Sequence, residues 1–119
     1  MNVKDILDVF ETTWASINES KNTAKKIAET YKFYIKSFEK QKEYLEEAIK
    51  SLGFLSTLLK ENEKEIKTLL EETTNKKVKL NDKIEDLKGN LKSINFYLKD
   101  RNYSSVLIFE NKLKEILKR

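Results

Sequence analysis

Residues 24–70 read AKKIAETYKFYIKSFEKQKEYLEEAIKSLGFLSTLLKENEKEIKTLL, and apolar side chains recur in this stretch every three or four positions. The recurrence forms a heptad series in which only Gln41 and Asn62 are polar. An apolar period of 3.5 residues sustained over so many turns is typical of an α-helix that lies along a partner helix. The sequence therefore predicts one long central helix over residues 23–72.

A first helix is predicted over residues 3–18, where Ile6 and Phe10 share one face. Asn2 precedes this helix, and asparagine is a preferred N-terminal cap. Capping-type residues between positions 18 and 23 favour a break before the long helix, so that the first helix folds back onto the bundle. The heptad phase also continues through this stretch, and one uninterrupted helix is therefore the alternative.

The polar stretch 71–77 predicts a hairpin turn centred near Asn75. Four apolar pairs then meet across the hairpin: Leu70 with Leu80, Ile66 with Ile84, Leu59 with Leu91, and Leu52 with Leu98. Later helices are predicted over residues 79–99 and 105–118. The predicted fold is all-α, an antiparallel helical hairpin or coiled-coil-like bundle of three to four helices, in a single domain over residues 1–119.

The composition excludes the usual catalytic and cofactor-binding classes. The chain of 119 residues contains no cysteine, no histidine and only two glycines, Gly53 and Gly89. Zinc–thiolate sites, cysteine nucleophiles, histidine bases and glycine-rich phosphate loops therefore lack their essential residues. We expect no catalytic, cofactor-binding or metal-binding residues, and a protein that is not an enzyme.

No stretch of the sequence predicts a membrane span or a cleaved signal peptide. The longest uncharged run, residues 51–59, is far shorter than the ~20 apolar residues that cross a bilayer. The first eight residues include two aspartates and lack the basic-then-apolar pattern of a signal peptide. A cytoplasmic location is the expectation, and secretion without a cleaved signal is the alternative.

Three phenylalanines lie off the heptad seam: Phe33, Phe54 and Phe96. With a turn near Asn75, Phe54 and Phe96 fall at the same level of the hairpin. Exposed aromatic side chains are typical of binding surfaces. We therefore expect a protein–protein interaction module, such as a small adaptor, chaperone, inhibitor or scaffold. We expect it to form a homo-oligomer through its apolar helix faces, with these phenylalanines as anchors for a protein partner.

A basic, helical nucleic-acid-binding protein is one alternative. Residues 21–40 carry a net charge of +4 and interleave lysines with aromatic residues. The candidate phosphate contacts are Lys25, Lys32, Lys36 and Lys40. The near absence of arginine and the net charge of −3 on the first 20 residues weigh against this alternative.

The segment Phe96-Tyr-Leu-Lys-Asp100 resembles a pattern of small helical hairpins exported by type VII secretion, which carry an aromatic-x-x-x-acid sequence late in the chain. The resemblance implies a second alternative, a secreted helical-hairpin partner protein without a cleaved signal. The central Trp-x-Gly turn of that family has no counterpart here, because Trp14 stands in the first helix and Gly53 follows no tryptophan.

Overall fold

A computed structural model describes residues 2–119, and no strand occurs in that range. Helix α1 spans Val3–Leu58, a 3₁₀ turn follows at Lys60–Asn62, and helix α2 spans Glu63–Lys99. Two short helices complete the described chain, α3 at Tyr103–Val106 and α4 at Phe109–Lys118. The all-α helical hairpin predicted from the sequence is confirmed, although several helix boundaries differ from the predicted ones.

The chain forms two compact units. The terminal unit consists of residues 2–32 and Gly89–Arg119, and the hairpin unit consists of Phe33–Lys88. Helices α1 and α2 contribute to both units, whereas α3 and α4 belong to the terminal unit alone.

Helix α1 runs without interruption through residues 18–23, so the favoured break there is wrong and the alternative of one continuous helix is confirmed. No proline or glycine stands in this stretch to interrupt the backbone hydrogen bonds. Asn2 caps the helix in the way the sequence predicts. Its Oδ1 accepts a hydrogen bond from the Asp5 backbone N–H at 2.9 Å, and the Asp5 carboxylate accepts one from the Asn2 N–H at 3.4 Å.

The chain reverses at residues 59–62, so the turn predicted near Asn75 is wrong. Helix α2 passes straight through residues 71–77. The hydroxyls of Thr73 and Thr74 donate to backbone carbonyls four residues earlier, at 2.7 and 2.8 Å, and so satisfy their polar groups within the helix. The glutamates and lysines beside them are good helix formers. The polarity of this stretch therefore belongs to a mainly exposed part of a helix.

The observed reversal begins at Leu59, whose backbone leaves the helical region at φ −110° and ψ 69°. Just before it, the hydroxyls of Ser56 and Thr57 donate to carbonyls three residues earlier, at 2.6 and 2.7 Å. Such local bonds compete with the helical backbone bonds and favour a helix end. Glu63 and Glu65 in the first turn of α2 then complement the positive end of the new helix.

Polar contacts define the register of α1 against α2 in the hairpin unit. The pairs are Lys42 with Asn81 at 2.8 Å, Glu46 with Lys77 at 3.4 Å, and Glu39 with Lys88 at 2.9 Å. In these pairs the residue number in α2 decreases as the residue number in α1 increases, so the two helices are antiparallel. The hydrogen bond to Glu39, together with its charge, raises the pKa of Lys88. The four apolar pairs predicted for a turn near Asn75 are wrong, because they do not fit this register.

The core of the hairpin unit is thin. Its buried side chains are Ile35, Ile66, Ile84 and Leu87. The two polar members of the heptad series do not lie in this core, because Gln41 is exposed on α1 and Asn62 is exposed in the 3₁₀ turn. The seam between the two helices is therefore a narrow apolar strip without a buried amide.

The terminal unit has the larger core, and Tyr31 is its fully buried central residue. The Tyr31 hydroxyl donates to the Phe109 carbonyl at 2.6 Å and accepts a hydrogen bond from Asn90 Nδ2 at 3.4 Å. The Phe109 ring lies edge-on to Tyr31 with the ring centres 6.5 Å apart, and 6.3 Å from the ring of Tyr97. Helix α1 therefore contacts both α2 and α4 at this level.

Helix α2 ends at Lys99, where the sequence predicts an end. Arg101 adopts a left-handed conformation with φ 58°, and the amide of Asn102 donates to the carbonyl of Tyr97 at 2.9 Å. This arrangement satisfies carbonyls that are otherwise free at a helix C-terminus. The helix predicted over residues 105–118 is present as two shorter helices, α3 and α4.

The buried hydroxyl of Tyr31 makes the stability of the protein depend on pH in the alkaline range. Burial raises the pKa of Tyr31 above its usual value of 10.0, and the hydrogen bond from Asn90 offsets part of this rise. The unfolded chain ionises this tyrosine at a lower pH than the folded protein does. The contribution to stability is therefore complete below about pH 10 and is lost as the pH rises towards the higher folded pKa.

We expect Tyr31→Phe to make the fall in the free energy of unfolding above about pH 10 less steep, in urea titrations followed by circular dichroism. At neutral pH the same change should cost about 1 kcal/mol or more, because the hydrogen bonds of this hydroxyl with Phe109 and Asn90 are lost. Tyr44, which is 73% exposed, provides the control, and Tyr44→Phe should leave the alkaline profile unchanged. Identical alkaline profiles for Tyr31→Phe and the unmodified chain would contradict the role given to this hydroxyl.

Candidate protein-interaction surface

An apolar face is left uncovered at the start of α1, where every residue from 2 to 19 is exposed. Large apolar side chains that are between 50% and 73% exposed lie on this face: Val3, Ile6, Leu7, Phe10, Trp14 and Ile17. Their spacing of three or four residues places them within about a third of the helix circumference. We refer to these six residues as the N-terminal stripe.

The N-terminal stripe occupies the same heptad positions that are buried further along α1. With Val3 at position a of a heptad abcdefg, the stripe fills positions a, d and e. Ala24 and Tyr31 at a, Ile27 at d and Ala28 at e are all buried in the terminal unit. Helix α1 therefore presents one continuous face that is uncovered before Ser20 and buried between Ala24 and Tyr31.

The charged residues of this segment lie on the other side of the helix. Positions b, c and f hold all of them, namely Lys4, Asp5, Asp8, Glu11 and Glu19. Positions a, d, e and g carry no charge between residues 2 and 20, although the first 20 residues have a net charge of −3. An apolar helix face without charges can be buried against another helix without desolvating an ion.

The phenylalanines predicted as anchors, Phe33, Phe54 and Phe96, are 65% to 67% exposed. Phe33 lies in the hairpin unit and contacts the Tyr34 ring at 5.5 Å, whereas Phe96 lies in the terminal unit and contacts the Tyr97 ring at 5.7 Å. The register that brought Phe54 and Phe96 to one level is wrong, because it depended on a turn near residue 75. Their role in binding stays a prediction.

A second group of exposed apolar side chains lies next to the hairpin turn: Phe54, Leu55, Leu58 and Leu59. The heptad series predicts Leu55 and Leu59 as buried seam residues. Both are exposed because the chain reverses immediately after them and α2 begins only at Glu63.

The lysines predicted for nucleic-acid binding are exposed, at positions Lys25, Lys32, Lys36 and Lys40. Three of the four aromatic residues between them are less available. Tyr31 is fully buried, and Tyr34 and Phe38 are half-buried, with ring centres 5.9 Å apart. Of the four rings in this stretch only Phe33 is exposed, so a single free ring is left on which nucleic-acid bases could stack.

The sequence identified the apolar face of residues 3–18 but missed its exposure. The favoured break at residues 18–23 would fold this helix back onto the bundle and bury the face. The signal that could have revealed the exposure is the unbroken heptad phase from Val3 to Ala24. A straight helix in that phase extends past the end of any partner helix that pairs with it from Ala24 onward.

None of the helices between residues 2 and 119 has the length and hydrophobicity that a bilayer crossing requires.

Comparisons of the chain with known protein families, with curated proteins and with solved structures find no match.

Proposed function

We propose that this chain is a non-enzymatic protein–protein interaction module that self-associates through an apolar helix face. The observation that supports this proposal is the N-terminal stripe, in which six large apolar side chains on one helix face are each at least half exposed. Fully burying one such side chain contributes roughly 1.5–3 kcal/mol. A contiguous face of this kind on a folded domain is typical of a site that another protein covers.

The charges around the N-terminal stripe favour a protein partner over a lipid surface. Helices that lie on membranes carry lysine and arginine on their polar face, where these residues meet anionic headgroups. The polar face of this segment instead carries four acidic residues and one lysine. Anionic lipids would repel this polar face, whereas an apolar face on another protein can cover the stripe without contacting the acidic residues.

Binding by burial of helix faces fits the roles of a small adaptor, chaperone, inhibitor or scaffold. Such a module needs no catalytic group, and nearby charges select its partner by repelling unsuitable ones. Phe33, Phe54 and Phe96 are further anchor candidates for a protein partner, because aromatic side chains that become fully covered contribute strongly to binding.

Phe10→Glu tests the proposal at the middle of the N-terminal stripe. The change places a charge where the interface requires apolar surface, so we expect association to weaken at least about 10-fold. Light scattering should give the unmodified chain a mass of about twice 14.1 kDa or more, at a concentration at which Phe10→Glu is monomeric.

Glu11→Ala is the matched control, because Glu11 neighbours Phe10 in sequence but lies at the outward-facing position b. It should leave both association and helicity unchanged. Circular dichroism of the two variants separates a loss of association from a loss of fold. A chain that stays monomeric up to about 500 µM would contradict self-association.

A further inference from the structure

The uncovered part of α1 limits what can cover it. Residues 2–19 extend about 27 Å along the helix axis, and burial of α1 begins only at Ser20. A helix that covers the whole N-terminal stripe needs the same length and an apolar face with the same 3.5-residue period. The same segment of a second copy of this chain has both properties.

We propose that residues 2–19 of two copies pair as an antiparallel coiled coil, in which each N-terminal stripe covers the other. The inference rests on the proposed self-association and adds the segment, the partner and the orientation. The same patch is used on both copies, so the contact closes at two chains around a twofold axis. That axis passes between Phe10 and Thr13.

Side-chain sizes favour the antiparallel orientation. In this register Phe10 faces Thr13 of the other copy, and Ile6 faces Ile17. Large residues then meet small or medium ones across the seam, as dense packing requires. A parallel pair would instead place Phe10 against Phe10 and leave Thr13 against Thr13.

Covering Thr13 leaves no polar group without a partner. Its hydroxyl donates to the Val9 carbonyl at 2.8 Å within the same helix. A hydroxyl satisfied in this way can be removed from water at little cost, and the methyl group of the threonine packs against the facing ring. The seam between residues 3 and 17 is thus free of charges, and its one hydroxyl at an a or d position is satisfied within the helix.

The charges do not oppose the pairing. Every charged residue between positions 2 and 20 holds position b, c or f, and these positions face away from the seam in either orientation. The acidic residues among them point outward from helices whose axes are about 8–10 Å apart. Their separation then exceeds the screening length of about 8 Å at physiological salt. The net charge of −3 on each segment therefore does not prevent pairing.

The register leaves space for the rest of each chain. Val3 of one copy faces Ser20 of the other, and Ser20 is where burial of α1 within its own chain begins. The paired segments therefore overlap along their full uncovered length, and the buried parts of α1 in the two copies begin at opposite ends of the coiled coil.

Disulfide trapping tests the pairing, because the chain has no cysteine of its own. Ile6→Cys and Ile17→Cys are mixed in equal amounts in a glutathione redox buffer. The antiparallel pair brings these two positions together, so the mixed disulfide dimer should exceed each homodimer by about 10-fold or more. Two copies of position 6 would lie about 16 Å apart along the axis, which is beyond the reach of a disulfide.

Asp8→Cys is the matched control, because position 8 lies on the opposite side of the helix. It should show no enrichment with either variant. The unmodified chain gives an independent measurement, since Trp14 is its only tryptophan and belongs to the N-terminal stripe. Its fluorescence should shift to shorter wavelength as the protein concentration rises from about 1 to about 500 µM.

Enrichment of both homodimers would overturn the antiparallel orientation. Random disulfide pairing with an unchanged Trp14 emission would overturn the coiled coil. If the chain then still associates by light scattering, only this inference fails, whereas a strictly monomeric chain contradicts the proposed self-association as well. A Trp14 shift that requires phosphatidylcholine–phosphatidylglycerol vesicles, and not a higher protein concentration, would assign the stripe to lipid and overturn the pairing.

Discussion

Replacing Asn75 by proline should lower the free energy of unfolding by about 3 kcal/mol or more. Asn75 lies inside α2, far from either end of Glu63–Lys99. Proline there removes a backbone hydrogen bond, and its ring clashes with the carbonyl of Glu71. Urea unfolding followed by far-ultraviolet circular dichroism measures the loss. Proline in a turn at this position would be tolerated, so the same variant tests where the chain reverses.

Lys60→Pro is the matched control for this prediction. Lys60 is the first residue of the 3₁₀ turn, and the backbone of Leu59 before it already lies outside the helical region that proline disfavours in its predecessor. Proline at the first position of a helical turn removes no intrahelical hydrogen bond. We expect a change of less than about 1 kcal/mol. A harmless Asn75→Pro combined with a damaging Lys60→Pro would contradict the observed hairpin.

The apolar period predicted a helix correctly, and Ala24, Ile27 and Tyr31 of its predicted seam are buried, but the period concealed where that helix ends. Leu55, Leu59, Asn62 and Ile66 keep the 3.5-residue phase although the chain reverses among them. A periodicity reports which residues would share a face if the helix were continuous. The apolar period cannot reveal a turn when the residues of the turn continue the same 3.5-residue spacing and include leucines that are exposed.

The polar stretch 71–77 was wrongly predicted to be a turn, because its residues lack the apolar period although they lie inside a helix. A two-helix hairpin buries only a narrow seam, so an entire helical turn can be polar without being a loop. The end of α2 at Lys99 was predictable, because Asp100-Arg-Asn102 interrupts the apolar period there. Local polarity therefore indicated a helix end only where the heptad phase stopped as well.

The candidate surface could be predicted in part. Ile6, Phe10 and Ile17 fall on one helix face from their spacing alone. Whether that face is covered depends on where α2 ends relative to α1. The turn at residues 59–62, about 40 residues further along the chain, determines which residue of α1 lies beside the end of α2. Exposure of the face is thus a long-range property that no local pattern contains.

Leu87→Ala should lower the free energy of unfolding by about 2–5 kcal/mol, because it leaves a cavity in the core. Leu87 has no exposed surface, and few other side chains are buried in the hairpin unit. Few neighbouring side chains can shift into the cavity, so we expect a loss in the free energy of unfolding near the upper end of this range. Urea unfolding at a protein concentration low enough to keep the chain monomeric measures the effect without a contribution from association.

Phe10→Ala should weaken association between copies and leave the free energy of unfolding of the monomer almost unchanged. Its ring is 66% exposed, so its removal should change the stability of the monomer by less than about 0.5 kcal/mol. Association measured by light scattering should nevertheless weaken at least about 10-fold, because the ring lies at the centre of the proposed seam. The residues that stabilise the fold and those that bind a partner are then separate sets. A Phe10→Ala variant as unstable as Leu87→Ala would mean that this ring packs inside the monomer, which would contradict an interaction surface on the first helical segment.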